Sequence, residues 1–329
     1  MKKKILVISI SLVLFLIYIS GCIEETPPDD KTNIVENLKM IYVDDDGGAD
    51  YTKIQDAIDH VADGGTIFVR NGTYHEILII DKSINLIGED SDNTIIDYKI
   101  GSITNSDSVI LISGNNCTLN RFNITYRYYI SDIIGIKITS SNNTISNNTI
   151  SYTYKSIYLD TYSKNNTITW NTISDTRHGV STYGSDSSNI SKNNISACKT
   201  YGIYLYGSDN NIISGNTISD SEGIGIRLQG SKNSEIFENT IKNCSQGVRF
   251  CCGAKSNIVY YNVFKQNRDW NAEDEVTNQW DNGSVGNYWD DYLERYPNAT
   301  QLNGVWDTPY KITGDNNIDR FPLVNPVDI

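Results

Sequence analysis

The sequence predicts an all-β fold, a right-handed parallel β-helix solenoid with an N-terminal capping helix and an aromatic C-terminal cap. Two observations carry that expectation. Segments opening at residues 135, 156, 179, 202, 225 and 247 recur every 21 to 23 positions, and each holds short alternating apolar runs separated by Asn, Ser, Asp and Gly. Runs this short and this rich in Ile and Thr suit strands rather than helices, and a fixed period near 22 suits one turn of a coil.

Before the coil come two segments that cannot build it. Lys2, Lys3 and Lys4 precede an apolar run from Ile5 to Ile19, which closes on Ser20-Gly21-Cys22. Positive charge, a short apolar run and small residues in that order read as an export signal. The ending resembles a lipoprotein box, which implies lipidation of Cys22. Residues 1–21 are therefore expected to be a lipoprotein signal peptide. Residues 22–38 follow as a flexible tether, acidic and Pro-containing at Glu24-Glu25-Thr26-Pro27-Pro28-Asp29-Asp30. The expected location is extracytoplasmic, at the cell surface or in a periplasm, with a lipid anchor to the membrane. The β-helix is placed at 39–264 and the cap at 265–329.

The chain has 27 Lys and Arg against 40 Asp and Glu, and removing the three lysines of the signal leaves a net charge of −16. Nucleic acid is excluded as a partner, since its affinity comes from neutralised phosphates. Beyond Cys22 the cysteines are Cys117, Cys198, Cys244, Cys251 and Cys252, an odd number without metal-type spacing.

Ahead of the repeats, Thr52-x-x-Gln55 reads as a capping box, and Ile54, Ala57, Ile58 and Val61 give one apolar helical face, stopped by Gly64-Gly65. A solenoid exposes strand edges at its first coil, so this helix is the expected cover. Within the repeats, apolar pairs five apart recur at Ile145/Ile150, Ile168/Ile173, Ile190/Ile195, Ile213/Ile218, Ile236/Ile241 and Ile258/Val263. Asn148, Asn171, Asn193, Asn216 and Asn239 stand two before the second member of the first five pairs and read as a stacked amide ladder. The tail carries Trp270, Trp280, Trp289 and Trp306 with several Tyr, which are expected to be buried across the last coil.

These residues resemble a known family. Gly48-Ala49-Asp50-Tyr51-Thr52-x-Ile54-Gln55-x-Ala57-Ile58, Gly65-Thr66-Ile67-x-Val69 and Gly72-Thr73-Tyr74-x-Glu76 resemble the opening of pectate-lyase-like β-helix proteins. The Asn-x-Ile repeats resemble those of NosD-like proteins, whose shared domain is named for carbohydrate binding and sugar hydrolysis. Gly286-Asn287-Tyr288-Trp289-x-Asp291-Tyr292, Asp307-Thr308-Pro309-Tyr310 and Asp319-Arg320-Phe321-Pro322-Leu323 resemble the ends of exported members. Related tails carry an acidic, calcium-type run before Asp-Thr-Pro-Tyr. Here residues 298–306 have no carboxylate, so calcium is not expected there and no cofactor is assigned.

In the first strand of each coil the second and fourth residues should point inward and the third and fifth outward. The third-position column is Lys137, Tyr158, Ser181, Tyr204, Arg227, Arg249, and the fifth is Thr139, Asp160, Tyr183, Tyr206, Gln229, Cys251. Aromatic rings with planar polar groups suit a sugar chain, and the resemblance implies that this face is the substrate groove. Tyr158, Asp160, Tyr183, Tyr204, Tyr206, Arg227 and Arg249 are thus the expected binding residues, for carbohydrate or an envelope polysaccharide.

A lyase or glycoside hydrolase would need a second acid or a calcium cluster beside Asp160, and no catalytic residues are assigned. Asp175-Thr176-Arg177-His178 reads as an exposed turn. A structural or accessory envelope role, including copper-enzyme maturation as the NosD name implies, is the third reading. Copper favours His, Met or Cys. Besides Met1 and Met40 the chain offers three His, and Cys251-Cys252 should face opposite ways, so no metal site is assigned.

Overall fold

The computed structural model describes residues 39–97, 107–126 and 132–327; the expected signal, Cys22 and the tether lie outside them. Three ten-stranded parallel sheets wind into a solenoid. In each central coil a longer strand of the front sheet, such as Tyr201–Tyr206, is followed by one of the second sheet, Ile212–Ser214, and one of the third, Thr217–Ser219. The order then repeats, so every strand pairs with its copies one coil away.

That register stacks like on like. Ile157, Val180, Ile203, Ile226 and Val248 face one another in the front sheet. Ile145, Ile168, Ile190, Ile213 and Ile236 do so in the second sheet, and Ile150, Ile173, Ile195, Ile218 and Ile241 in the third. All are fully buried, which makes one continuous apolar core. The final repeat departs from the expected pairing. Val259 and Phe264 occupy the inner rows, while Ile258 is half-buried, one residue out of step. The amide ladder dictates this, because Asn239 bonds to Asn262 and a one-residue slip would turn every side chain to the other face.

The ladder runs through Asn148, Asn171, Asn193, Asn216, Asn239, Asn262 and Asn287, each backbone N–H donating to the next side-chain carbonyl at 2.9–3.1 Å. A second column stands between front and second sheets: Asn143, Asn166, Ser188, Asn211, Ser234, Asn257 and Asn278. Its interruption by Ser hides it from a search for repeated Asn.

The N-terminal helix spans Ile54–His60 and buries Ile54, Ala57 and Ile58 against the first strands. It is not closed by the expected capping box. Lys53 is the N-cap and makes no side-chain bond, and the Glu76 carboxylate instead accepts from the N–H groups of Ile54 and Gln55 at 2.8 and 2.9 Å. An anion at a helix N-terminus serves the same free donors from the next strand segment. At the other end, Trp280, Trp289, Tyr292 and Tyr310 are buried, with Trp289 stacked between Phe264 at 4.5 Å and Tyr310 at 4.1 Å. Asp319, also buried, accepts from the Trp289 indole at 2.9 Å and the Asn287 N–H at 2.7 Å, which terminates the ladder with a carboxylate. Trp270 does not join this cap. It pairs with Gln246 in the front sheet, where parallel pairing continues through Trp270–Asp274.

Candidate functional site

The front sheet presents three outward rows rather than two. The third-position row follows the expected order, with Tyr158, Ser181, Tyr204, Arg227 and Arg249 in register. The fifth-position row sets Tyr183, Tyr206, Gln229 and Cys251 side by side, although Cys251 is buried. An additional row, Lys155, His178, Tyr201, Ile224, Gln246 and Trp270, precedes the Gly of the four central strands and Ser156 and Asn271 at its two ends. Strict alternation counted back from the inner Ile assigns this row to the inside. The strand bends at the Gly, and the row joins the outer face instead.

His178 shows the consequence. It lies in a strand and is only 8% exposed, against the expectation of a solvated turn. Its ring meets Tyr154 at 5.5 Å, Tyr201 at 5.0 Å and Tyr204 at 6.4 Å, filling space that the small Ser181 leaves open. Burial, aided by the positive charges of Lys155 and Arg177, lowers its pKa to about 4, so the imidazole is neutral at pH 7.

Around His178 the aromatic residues form one patch across adjacent coils. Tyr183 stacks on Tyr206 with centroids 4.7 Å apart and planes within 6°, and Tyr201 lies 4.7 Å from Tyr204. Arg227 donates from Nη1 to the Tyr201 hydroxyl at 2.5 Å and sits over both the Tyr201 and Tyr204 rings. Tyr204 donates to Gln229 Oε1 at 2.9 Å, and burial pushes its pKa up to about 12, keeping the phenol a donor.

The remaining expected residues fall into two flanking groups. Toward the N-terminal side, Tyr158 donates to Asp160 at 3.2 Å, and Lys137 lies 2.7 Å from Asp107 and 3.8 Å from Asp160. Lys155 covers the Tyr158 ring at 3.9 Å. Burial and the Asp160 charge raise the Tyr158 pKa. Toward the C-terminal side, Arg249 is engaged by Glu275 at 2.6 Å and Glu273 at 2.9 Å, the latter contact poorly angled for a hydrogen bond. The face thus brings Tyr183, Tyr204, Tyr206 and Arg227 together with the unforeseen Tyr201 and His178, and sets Arg249 apart in its own ion pairs.

A family model described as periplasmic copper-binding protein (NosD) matches residues 129–294. No curated protein matches the chain in sequence. Among solved structures, the DFA-IIIase of Arthrobacter chlorophenolicus A6 in complex with DFA-III is similar at 14% identity and a TM-score of 0.55, over 68% of this chain and 67% of that one. The Dettilon tailspike protein is similar at 16% identity and a TM-score of 0.51, over 69% of this chain and 55% of the tailspike. This chain therefore spans about half the tailspike's length. At such identities both likenesses show the fold.

The copper in the family description can be set against the donors present. Among the described residues, the one grouping of three His, Cys, Asp or Glu side chains is Asp44, Asp45 and Asp46, which are hard oxygen donors. His60 stacks on Tyr51, and His75 Nδ1 lies 3.0 Å from the Asp97 carbonyl, so the two share no partner. Cys251 is buried and Cys252 exposed, yet the left-handed backbone at Cys252 brings the two thiols within hydrogen-bond reach of each other, against the expectation that they face opposite ways. Among the described residues no third His, Cys, Asp or Glu joins them. These residues do not fit a soft metal site.

Proposed function

This chain belongs to the NosD family, and on that premise we propose that it is an extracytoplasmic β-helix that binds carbohydrate or envelope polysaccharide along its front sheet. The family's description as periplasmic supports a place outside the cytoplasm, and lipidation of Cys22 would hold it at a membrane. The observation that carries the binding reading is the aromatic patch itself. Tyr183, Tyr201, Tyr204 and Tyr206 line neighbouring coils, with the Arg227 guanidinium and the neutral His178 set among them. Apolar ring surface beside fixed planar donors suits pyranose rings and their hydroxyls, and a solenoid repeats the offer along its axis.

A glycan array scored for both retention and product release tests this. Binding without turnover is expected, with at least tenfold weakening in Tyr204→Ala and in Arg227→Ala. Equal binding in both variants would remove the face from consideration.

A polysaccharide lyase or hydrolase is the second reading, favoured by one contact. Lys137 brings Asp107 beside Asp160, supplying the second acid that such chemistry needs. Product release abolished by Asp160→Asn and by Asp107→Asn would establish it. The donor set supports no copper step.

A further inference from the structure

The sharp corner between the second and third sheets carries its own row of side chains. Asn147, Trp170, Lys192, Gly215, Glu238 and Tyr261 each precede a ladder Asn and share a left-handed backbone, with φ from +54° to +63°. The turn that delivers the amide ladder forces this conformation and points the row outward. Trp170 is 58% exposed, an unusual position for the largest side chain, and Lys192 Nζ lies 5.0 Å over its ring.

Gly215 is the informative member. Its φ of +63° does not demand glycine, because Trp170, Lys192, Glu238 and Tyr261 adopt the same conformation at equivalent positions. Nor does space demand it, since an added Cβ would meet Lys192 Cγ at 3.4 Å and the Lys192 backbone N at 3.9 Å, both ordinary contacts. The effect of Gly215 is to open a notch in the middle of the row. The notch belongs to a cavity of about 590 Å³, walled by Trp170 and Lys192 on one side and Glu238 and Tyr261 on the other. Its floor is small and polar, formed by Thr172, Asn194 and Thr217 of the third sheet, and Val327 closes one edge.

We propose that this corner groove is a second carbohydrate site, separate from the front sheet, for a neutral oligosaccharide of about four residues lying along the solenoid axis. Trp170 and Tyr261 stand four coils apart, roughly 19 Å at about 4.8 Å per coil, and one coil rises by close to the length of one pyranose. Aromatic walls at both ends would take sugar faces, while Thr and Asn on the floor would meet hydroxyls. Lys192 and Glu238 balance each other, so the groove selects against polyanions, as does the acidic chain as a whole. The site deepens the carbohydrate reading without depending on the front face.

The test is an array of neutral tetra- to hexasaccharides probed with the wild-type chain, Trp170→Ala, Gly215→Tyr and Tyr204→Ala, each checked for an unchanged circular dichroism spectrum. Gly215→Tyr fills the notch at a position whose neighbours already carry large side chains. At least one glycan should bind wild type and Tyr204→Ala alike and lose tenfold or more in both Trp170→Ala and Gly215→Tyr. If every bound glycan is lost in Tyr204→Ala but kept in the corner variants, the corner proposal falls while the front-sheet reading stands. An array of these neutral glycans on which nothing binds would overturn the corner proposal and leave the front-sheet reading to its own, broader array.

Discussion

Asn171 donates twice to the side-chain carbonyl of Asn193, from its backbone N–H at 3.0 Å and from Nδ2 at 3.0 Å. Asn193 in turn donates to the Ile168 carbonyl at 2.9 Å and to Asn216 Oδ1 at 3.0 Å. All of these groups are buried, so each bond removed leaves an unmet donor or acceptor rather than a hydrated one. Asn193→Ala should therefore cost about 3 kcal/mol. Asn211→Ser should cost about 1 kcal/mol or less, because Ser188 and Ser234 already serve that column. Urea unfolding of the two variants checks the contrast, and equal losses would count against the ladder as a main support of the corner.

Gly202 marks a different constraint. An added Cβ there would sit 2.6 Å from the Gly225 carbonyl oxygen and 2.6 Å from Ile218 Cγ2. Neither backbone nor a core Ile yields readily, so Gly202→Ala should lose about 2 kcal/mol by overpacking. Gly207, at φ +53° with nothing within 4 Å of its Cβ, should accept Asn with a change under about 0.5 kcal/mol. Thermal melts of both variants decide the matter.

The solenoid was legible because its signals are local and repeated: the inner Ile rows and one Asn ladder lie at fixed spacing from Ile145 to Ile241. What escaped the sequence depended on contacts between coils or on departures from strict alternation. Glu76 caps the first helix from 21 to 22 residues downstream, a contact no local motif announces. His178 and Tyr201 face outward because the strand bends at the following Gly, which alternation cannot foresee. Ile258 was displaced from the inner row by a register that Asn262 imposes. At the candidate site the column of Tyr and Arg was readable, whereas the partners that engage Arg249 lie in the next coil.

His178 gives the fold an acid limit. It gains its proton near pH 4 in the folded chain and near 6.5 when unfolded. Between those values the unfolded chain binds a proton that the folded chain refuses. Its contribution is thus intact above pH 6.5 and is lost as pH falls toward 4, with a slope of up to about 1.4 kcal/mol per pH unit. Lys155 and Arg177 reinforce that refusal, while Tyr154, Tyr201 and Tyr204 supply the surrounding rings. His178→Phe keeps the ring contacts and removes the titration. Its urea midpoint should fall less than that of wild type between pH 7 and pH 4.5, and parallel curves would assign the acid loss to other groups.

Arg227 and Arg249 are neighbours in one row, yet their surroundings predict opposite roles. Arg249 meets Glu273 and Glu275, and Glu273 is only 17% exposed, so truncating Arg249 strands a largely covered carboxylate. Arg249→Ala should cost about 1–2 kcal/mol of stability and change glycan affinity less than twofold. Arg227 has a phenol, the Cys251 sulfur at 3.6 Å and two rings as partners and no carboxylate counter-ion among the contacts described, so its charge remains available to a ligand's hydroxyls. Arg227→Ala should weaken glycan binding at least tenfold with a smaller loss of stability than Arg249→Ala. Paired titrations and thermal melts of the two variants separate the effects. If Arg249→Ala weakens binding as much as Arg227→Ala, the ion pairs of Arg249 open when glycan binds, and the bound chain reaches past the tyrosine patch to the last coil.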